Sequence, residues 1–149
     1  MKPEYIFTII TIMIGVFVAY TGYNQYRLSK EKFKLDTFDK RYGVYKNTQV
    51  FLTKILRDAK IEMEDVFEFR AGTQDSIFLF KEDIPDYLEN IDKKARDLLE
   101  IHMSLNNVPK GNERSQMCRK QTELLGWLTS QLPELKNKFA PYLKFKTWK

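Results

Sequence analysis

Residues 5–18, with the sequence YIFTIITIMIGVFV, decide how this chain is organised. They contain nine Ile, Phe and Val residues and lie within a run, 5–26, that carries no formal charge. At about 1.5 Å of rise per residue, a helix formed by the whole uncharged run 5–26 spans the hydrocarbon layer of a bilayer. On the insertion scale the nine residues contribute about −3 to −5 kcal/mol. We therefore predict a transmembrane anchor at 1–26.

Two alternatives compete with this interpretation. A cleaved signal peptide has a basic first segment and small residues at its cleavage site. Here Lys2 is offset by Glu4, and residues 19–26 read AYTGYNQY, a poor match to such a site. A buried core helix is usually shorter and has a polar face. Both alternatives are therefore disfavoured.

The flanking charges predict the orientation of the anchor. Only Lys2 precedes it, whereas four basic residues follow it at once: Arg27, Lys30, Lys32 and Lys34. Because cytoplasmic flanks carry the excess of Lys and Arg, we expect residues 27–149 to lie in the cytoplasm. We also expect these four residues to contact the membrane surface.

The remainder has the composition of one small helical domain. The 149-residue chain contains six Gly and five Pro, too few for a loop-rich or all-β design. Cys118 is the single cysteine, so no intramolecular disulfide or Cys-based zinc site is expected.

Apolar residues recur at helical spacing in four segments, which predict an all-α fold with an antiparallel bundle of about four helices. The first covers 27–58, and its seam at 35–56 is typical of an amphipathic or coiled-coil helix. Whether it continues the anchor stays open, with Gly22 and the polar residues Asn24 and Gln25 as the best candidates for a hinge. The seam residues are Leu35, Phe38, Tyr42, Tyr45, Gln49, Leu52 and Leu56.

The second helix is predicted over 62–80, with a break at Gly72 as the alternative. The third begins at Asp83, has Pro85 in its first turn and carries a clear apolar stripe as far as Leu105. The fourth begins at about residue 113, and Pro133 is expected to kink it or to start a new helix.

Charge is unevenly distributed along the predicted bundle. Residues 62–92 hold ten acidic and two basic residues, whereas the tail at 136–149 is basic and aromatic. The tail suits an anionic membrane surface, but its aromatic residues would equally cap the core, and stacking on nucleic acid is disfavoured. The tail residues predicted to contact the membrane are Lys144, Lys146 and Trp148.

Charged residues in the first two bundle helices suggest a buried polar network. Its proposed members are Asp39, Arg41, Glu68, Arg70 and Asp75. The alternative is a solvated, salt-bridged helix face with the neighbouring aromatic residues inside.

No catalytic, cofactor-binding or metal-binding residue is predicted. The chain lacks the glycine-rich phosphate loops, the nucleophile elbow and the zinc-protease motif. His102 lies on the apolar stripe of the third helix and is interpreted as a core residue. A Cys118–His102 pair is the one conceivable nucleophile and base, with no supporting local pattern.

Three stretches resemble a family of small bacterial membrane proteins of uncharacterised activity. They are LDTFDKRYGVYKNTQVFLTKILRD (35–58), FEFRAGTQDSIFLF (67–80), and WLTSQL followed by KFAPYLKF within 127–145. Members of that family carry an N-terminal membrane helix followed by an LDxFDxRYxVY segment. The resemblance implies a location in the bacterial inner membrane and implies no activity.

We therefore expect a membrane-anchored helical protein that acts by binding, as a scaffold or an accessory subunit. The expected partners are the lipid bilayer and either a second copy or another protein, bound through the seam 35–56. The alternative is a membrane-tethered enzyme or effector, of the toxin or defence type, that uses the acidic segment 62–92.

Overall fold

The structure is a computed structural model that describes residues 3–105, 109 and 111–144. These residues are almost entirely helical, which confirms the predicted all-α class. The helices are α1 (Pro3–Asp58), α2 (Met63–Thr73), α3 (Ser76–Leu79), α4 (Asp83–Leu105) and α5 (Asn112–Leu143). The chain divides into two compact units between Thr37 and Phe38.

The first unit contains the predicted anchor and is helical from Pro3 onwards, including Gly22. Its apolar side chains from Ile6 to Val18 are all exposed. In the described part of the chain, α1 is the one helix long and apolar enough to cross a membrane, and its apolar window is wholly unburied. A membrane span and a signal sequence both have these properties.

The second unit is a helical bundle in which consecutive long helices run in opposite directions. Lys54 of α1 bonds Asp65 near the start of α2, while Asn47 Nδ2 donates to Gly72 O at its end, at 3.1 Å. In the same way, Tyr87 Oη near the start of α4 donates to Gln131 O late in α5, at 3.3 Å. The antiparallel order is thus visible in individual contacts.

The bundle core is formed by aliphatic and aromatic side chains from four of the helices. Phe51 and Phe69 stack at 4.4 Å between ring centroids, joining α1 to α2. Phe139 of α5 is fully buried and meets Tyr45 and Phe80 edge to face. The other completely or almost completely buried residues include Leu52, Ile55, Ile61, Ile84, Ile91, Ala95, Leu98, Leu128 and Leu135.

The buried face of α1 is rotated from the predicted seam. Val44, Thr48, Phe51, Leu52 and Ile55 are buried, whereas Leu35, Tyr42 and Leu56 of the seam are exposed. Leu52 is the seam residue that is completely buried. The displacement arises because α1 packs its Val44–Ile55 side against the other bundle helices, which the spacing of apolar residues along α1 alone does not reveal.

The helix predicted over 62–80 is divided into α2 and α3. The break falls at Gln74 and Asp75, just beyond the glycine that the sequence suggested. Gly72 itself stays helical and permits close packing, since an added Cβ would lie 2.4 Å from Asn47 Nδ2. Residues 76–79 form a short separate helix.

The helix α5 contains Pro133 and Pro141 and continues as one element from Asn112 to Leu143, so no new helix begins after Ser130. Two aromatic residues near its end, Phe139 and Tyr142, lie against the core. Phe139 is buried and Tyr142 is partly buried against the core. Lys146 and Trp148 lie outside the described residues.

Candidate functional site

The most distinctive polar cluster joins α2 to α4 around Asp92. Arg70 Nε and Nη2 donate to Asp92 Oδ1 and Oδ2, both at 2.7 Å, and Arg96 Nε donates to Oδ2 at 3.1 Å. Asp92 is buried, while the two guanidinium groups are about half exposed. The hydrogen bonds that Arg70 donates to Asp92 raise the pKa of Arg70. One buried carboxylate thus orients two cations at the surface.

The proposed polar network has a different composition in the structure. The hydrogen bonds of Arg70 go to Asp92, which the sequence interpretation did not include. Glu68, Asp39 and Asp75 are exposed. Asp92 and Arg96 could have been found from their i, i+4 spacing on the third helix, with Asp92 beside the apolar Ile91.

Arg41 belongs to a second cluster, at the end of the bundle where α3 meets α5. Its Nε donates to Leu79 O at 2.8 Å, and its guanidinium carbon lies 5.7 Å from the ring centroids of Phe80 and Tyr142. Partial burial lowers the pKa of Arg41. Tyr142 Oη donates to Asp83 Oδ1 at 2.6 Å. The polar groups of this cluster bind other segments of the bundle: Arg41 binds Leu79, and Tyr142 binds Asp83. The cluster therefore covers one end of the core.

The acidic segment 62–92 contains two buried carboxylates, and each has a basic partner. Asp92 binds the two arginines, and Asp65 accepts from Lys54 Nζ and from the backbone N–H of Glu62. The segment's other acidic side chains are exposed. In residues 3–105, 109 and 111–144, no group of three or more His, Cys, Asp or Glu side chains is arranged to hold a metal ion. The catalytic use of this segment stays a prediction.

The remaining residues singled out from the sequence differ in their exposure. His102 is partly buried on α4, and Cys118 is exposed on α5. Arg27, Lys30 and Lys32 are exposed, Lys34 is partly buried, and Lys144 is exposed at the end of α5.

A groove of about 350 Å³ runs between α2 and α4, beside the Asp92 cluster. Val66 and Leu99, both almost completely buried, form its floor, and Met63, Phe67 and Met103 are more than half exposed at its rim. Arg70 and Arg96 lie at one end, and Met103 and Ser104 at the other. We call this the α2–α4 groove; its remaining lining residue is Glu100.

The outer side of α2 is also apolar. Met63, Phe67 and Ala71 follow one another at i, i+4 spacing, are exposed, and line a shallow depression with Glu64 and Glu68. We call Met63, Phe67 and Ala71 the α2 surface. Large apolar side chains exposed together on a folded domain commonly mark an interaction site.

A larger groove of about 580 Å³ separates α4 from α5, and its walls are more polar. Lys94 Nζ lies 5.5 Å from the ring centroid of Trp127, and charges of both signs line the groove. Those charges are Lys94, Lys120, Asp97, Glu100 and Glu123. The mixture of charges specifies no one class of ligand.

Comparisons of the chain with protein-family models, with curated proteins and with solved structures found no match.

Proposed function

We propose that this chain is a membrane-anchored binding protein, a scaffold or an accessory subunit whose bundle binds a protein partner through the α2 surface. The observation that carries the proposal is the exposure of Phe67 (62%) and Met63 (51%) side by side on a well-packed domain. Exposed apolar area of this kind is stabilised when a partner removes it from water. Flexible Met side chains also adapt to the shape of a partner.

A matched pair of phenylalanines tests the partner site. Phe67 and Phe78 are both exposed, at 62% and 83%, but Phe78 lies on α3 outside the α2 surface. The full-length protein is purified in mild detergent as wild type, Phe67→Asp and Phe78→Asp, and the co-purifying proteins are quantified. We expect a partner that Phe67→Asp loses and Phe78→Asp retains. Equal retention by both variants would remove the α2 surface from the proposal.

The proposal includes an anchor in the bacterial inner membrane, with the bundle in the cytoplasm. It is supported by the unburied apolar window of α1 and by the basic residues that follow it. The expected result is an uncleaved protein that resists carbonate extraction. A mature N-terminus beyond residue 18 would instead identify a cleaved signal sequence.

The lone cysteine allows a direct test of orientation. Cys118 is exposed on α5, so a membrane-impermeant maleimide should label it only after the inner membrane is opened. The control is Lys2→Cys in a Cys118→Ser background, which should be labelled from the outside. The opposite pattern would place the bundle outside the cytoplasm.

A second copy of the chain remains the alternative partner, through exposed residues of the seam 35–56. Tyr42 and Leu56 are 46% and 54% exposed, whereas Leu52 is used by the bundle's own core. A dimer of this kind should be weakened by Tyr42→Asp with Leu56→Asp, measured by the mass of the detergent-solubilised protein. A partner lost from Phe67→Asp alone would favour the α2 surface.

A further inference from the structure

The α2–α4 groove combines an apolar channel with cationic donors at one end. Arg70 is held by two hydrogen bonds to Asp92, and Arg96 is held to the same carboxylate through Nε. Among the described residues Arg96 makes no further hydrogen bond, so its two terminal nitrogens stay available as donors. Guanidinium groups that are already oriented lose little freedom when they bind a carboxylate.

Charge at this end of the groove favours an anion. The single negative charge of Asp92 is shared by two arginines, which leaves one positive charge unmatched. Glu100 also lines the groove, and in the described part of the chain it forms no ion pair with Arg96, one helical turn away. A carboxylate that reaches the free nitrogens of Arg96 would form charge-assisted hydrogen bonds.

The dimensions favour a single flexible chain. The volume of about 350 Å³ is at the lower end of the range for small-molecule sites. The groove extends from Arg70 to Met63, about 10 Å along α2 at the helical rise of 1.5 Å per residue. A docked helix is about 10–12 Å wide with its side chains, broader than the gap between two packed helices.

We propose that the α2–α4 groove binds a fatty acid, with the carboxylate at Arg96 and Arg70 and the acyl chain over Val66 and Leu99 towards Met103. Both floor residues are almost completely buried, so the acyl chain is removed from water along one side. The exposed Met63, Phe67 and Met103 then cover the chain from the rim. The proposal goes beyond protein binding and does not depend on it.

The test uses the full-length protein in phosphatidylcholine nanodiscs. A diazirine-labelled eight-carbon fatty acid, whose extended chain matches the length of the groove, is photo-crosslinked, and label on peptides of α2 and α4 is measured by mass spectrometry. The alcohol and the trimethylammonium compound with the same chain are run in parallel. We expect labelling by the acid to exceed that by either analogue by about tenfold, the effect of one charged hydrogen bond. Equal labelling by the three compounds would overturn the proposal.

Arg96→Gln tests the headgroup site, and Arg119→Gln on the exposed face of α5 is the control for loss of one positive charge. We expect the fatty-acid label to fall about tenfold in Arg96→Gln and to be unchanged in Arg119→Gln. Circular dichroism tests whether both variants are folded. If Arg96→Gln unfolds, the comparison of acid with alcohol on the wild type decides the matter without a variant.

A protein ligand would give another result. If an apolar peptide with a free C-terminal carboxylate displaced the label at lower concentration than the unlabelled fatty acid, the groove would be a peptide site and the proposal would be wrong. Retention of the protein partner by Arg96→Gln, with loss of the fatty-acid label, would separate this inference from the α2 surface.

Discussion

The two parts of α1 use the same secondary structure in opposite ways. From Ile6 to Val18 every large apolar side chain is exposed, by 44% to 71%. Beyond Phe38 the helix has one buried side, with Val44, Leu52 and Ile55 at 4%, 0% and 1% exposure, and one exposed side that includes Leu56. Helix formation therefore does not determine which side chains of α1 are buried. Burial depends on whether other helices pack against that part of α1.

The difference in burial between the two parts of α1 affects how each part is stabilised. Burial of a large aliphatic side chain contributes about 1.5–3 kcal/mol, so the part beyond Phe38 is stabilised by the bundle. In the part of the chain that the structure describes, the apolar side chains from Ile6 to Val18 have no such burial. Its apolar surface is stabilised only by surroundings that are themselves apolar, which is the physical basis of the proposed anchor.

The largest expected effect is on the buried side of α1. Leu52→Ala should lower the free energy of unfolding of the bundle by about 2–5 kcal/mol, since it leaves a cavity at a fully buried site. Leu56→Ala, one turn further along and 54% exposed, is the matched control and should change it by less than about 0.5 kcal/mol. Denaturant melts of the full-length protein measure both. Similar losses in the two variants would contradict the assigned buried face.

A charge in the first part of α1 should act on insertion and leave the bundle folded. Ile12→Arg should make membrane insertion less favourable by about 3 kcal/mol, with Ile12→Leu as the control. Resistance to carbonate extraction measures insertion, and the melting of the bundle is followed in the same preparation. An Arg variant that stays fully membrane-bound would argue against a span centred on this segment.

The ion-pair cluster should have a smaller effect, because its cations are partly solvated. Arg70→Ala removes two of the three hydrogen bonds to buried Asp92 but leaves that of Arg96. The expected loss in unfolding free energy is about 1–2 kcal/mol. Arg57→Ala, whose ion pair with Asp58 is at the surface, should produce no measurable change. An unaltered melting temperature for Arg70→Ala would show that the pair does not stabilise the α2–α4 contact.

The smallest effect concerns Tyr87 at alkaline pH. Burial raises the pKa of Tyr87 above its ordinary value of 10, so the unfolded chain loses the phenol proton first. The contribution of the Tyr87 phenol to the free energy of unfolding is fully present below about pH 10. Above that pH it falls by about 1.4 kcal/mol per pH unit. Unfolding from pH 9 to 11 should therefore be less pH-dependent in Tyr87→Phe. Identical slopes would show that the phenol is not protected in the folded protein.

Much of the architecture could be predicted from local patterns. The stripe of α4 through Ile84, Leu88 and Ile91 and that of α5 through Leu128, Leu135 and Phe139 are both buried as expected. The hydrophobic spacing suffices here because each helix packs one side only. The helix predicted over 62–80 is instead divided at Gln74 and Asp75, close to Gly72, where the sequence offered a break as the alternative.

The candidate site was less accessible to sequence reasoning. Arg70 was singled out, but its partner Asp92 is 22 residues away on another helix. An ion pair between helices depends on their relative rotation, which no local spacing records. The α2–α4 groove depends on the same rotation, since its walls come from both helices.

What the sequence determined by itself is the helical class, the uncharged apolar segment at 5–18 and the apolar stripes of the later bundle helices, because all three follow from composition and period. What only the tertiary structure decided is which side of α1 is buried, which acid meets Arg70 and which apolar side chains stay at the surface. These depend on contacts between distant segments, where side-chain packing and helix rotation, not local propensity, choose the partner.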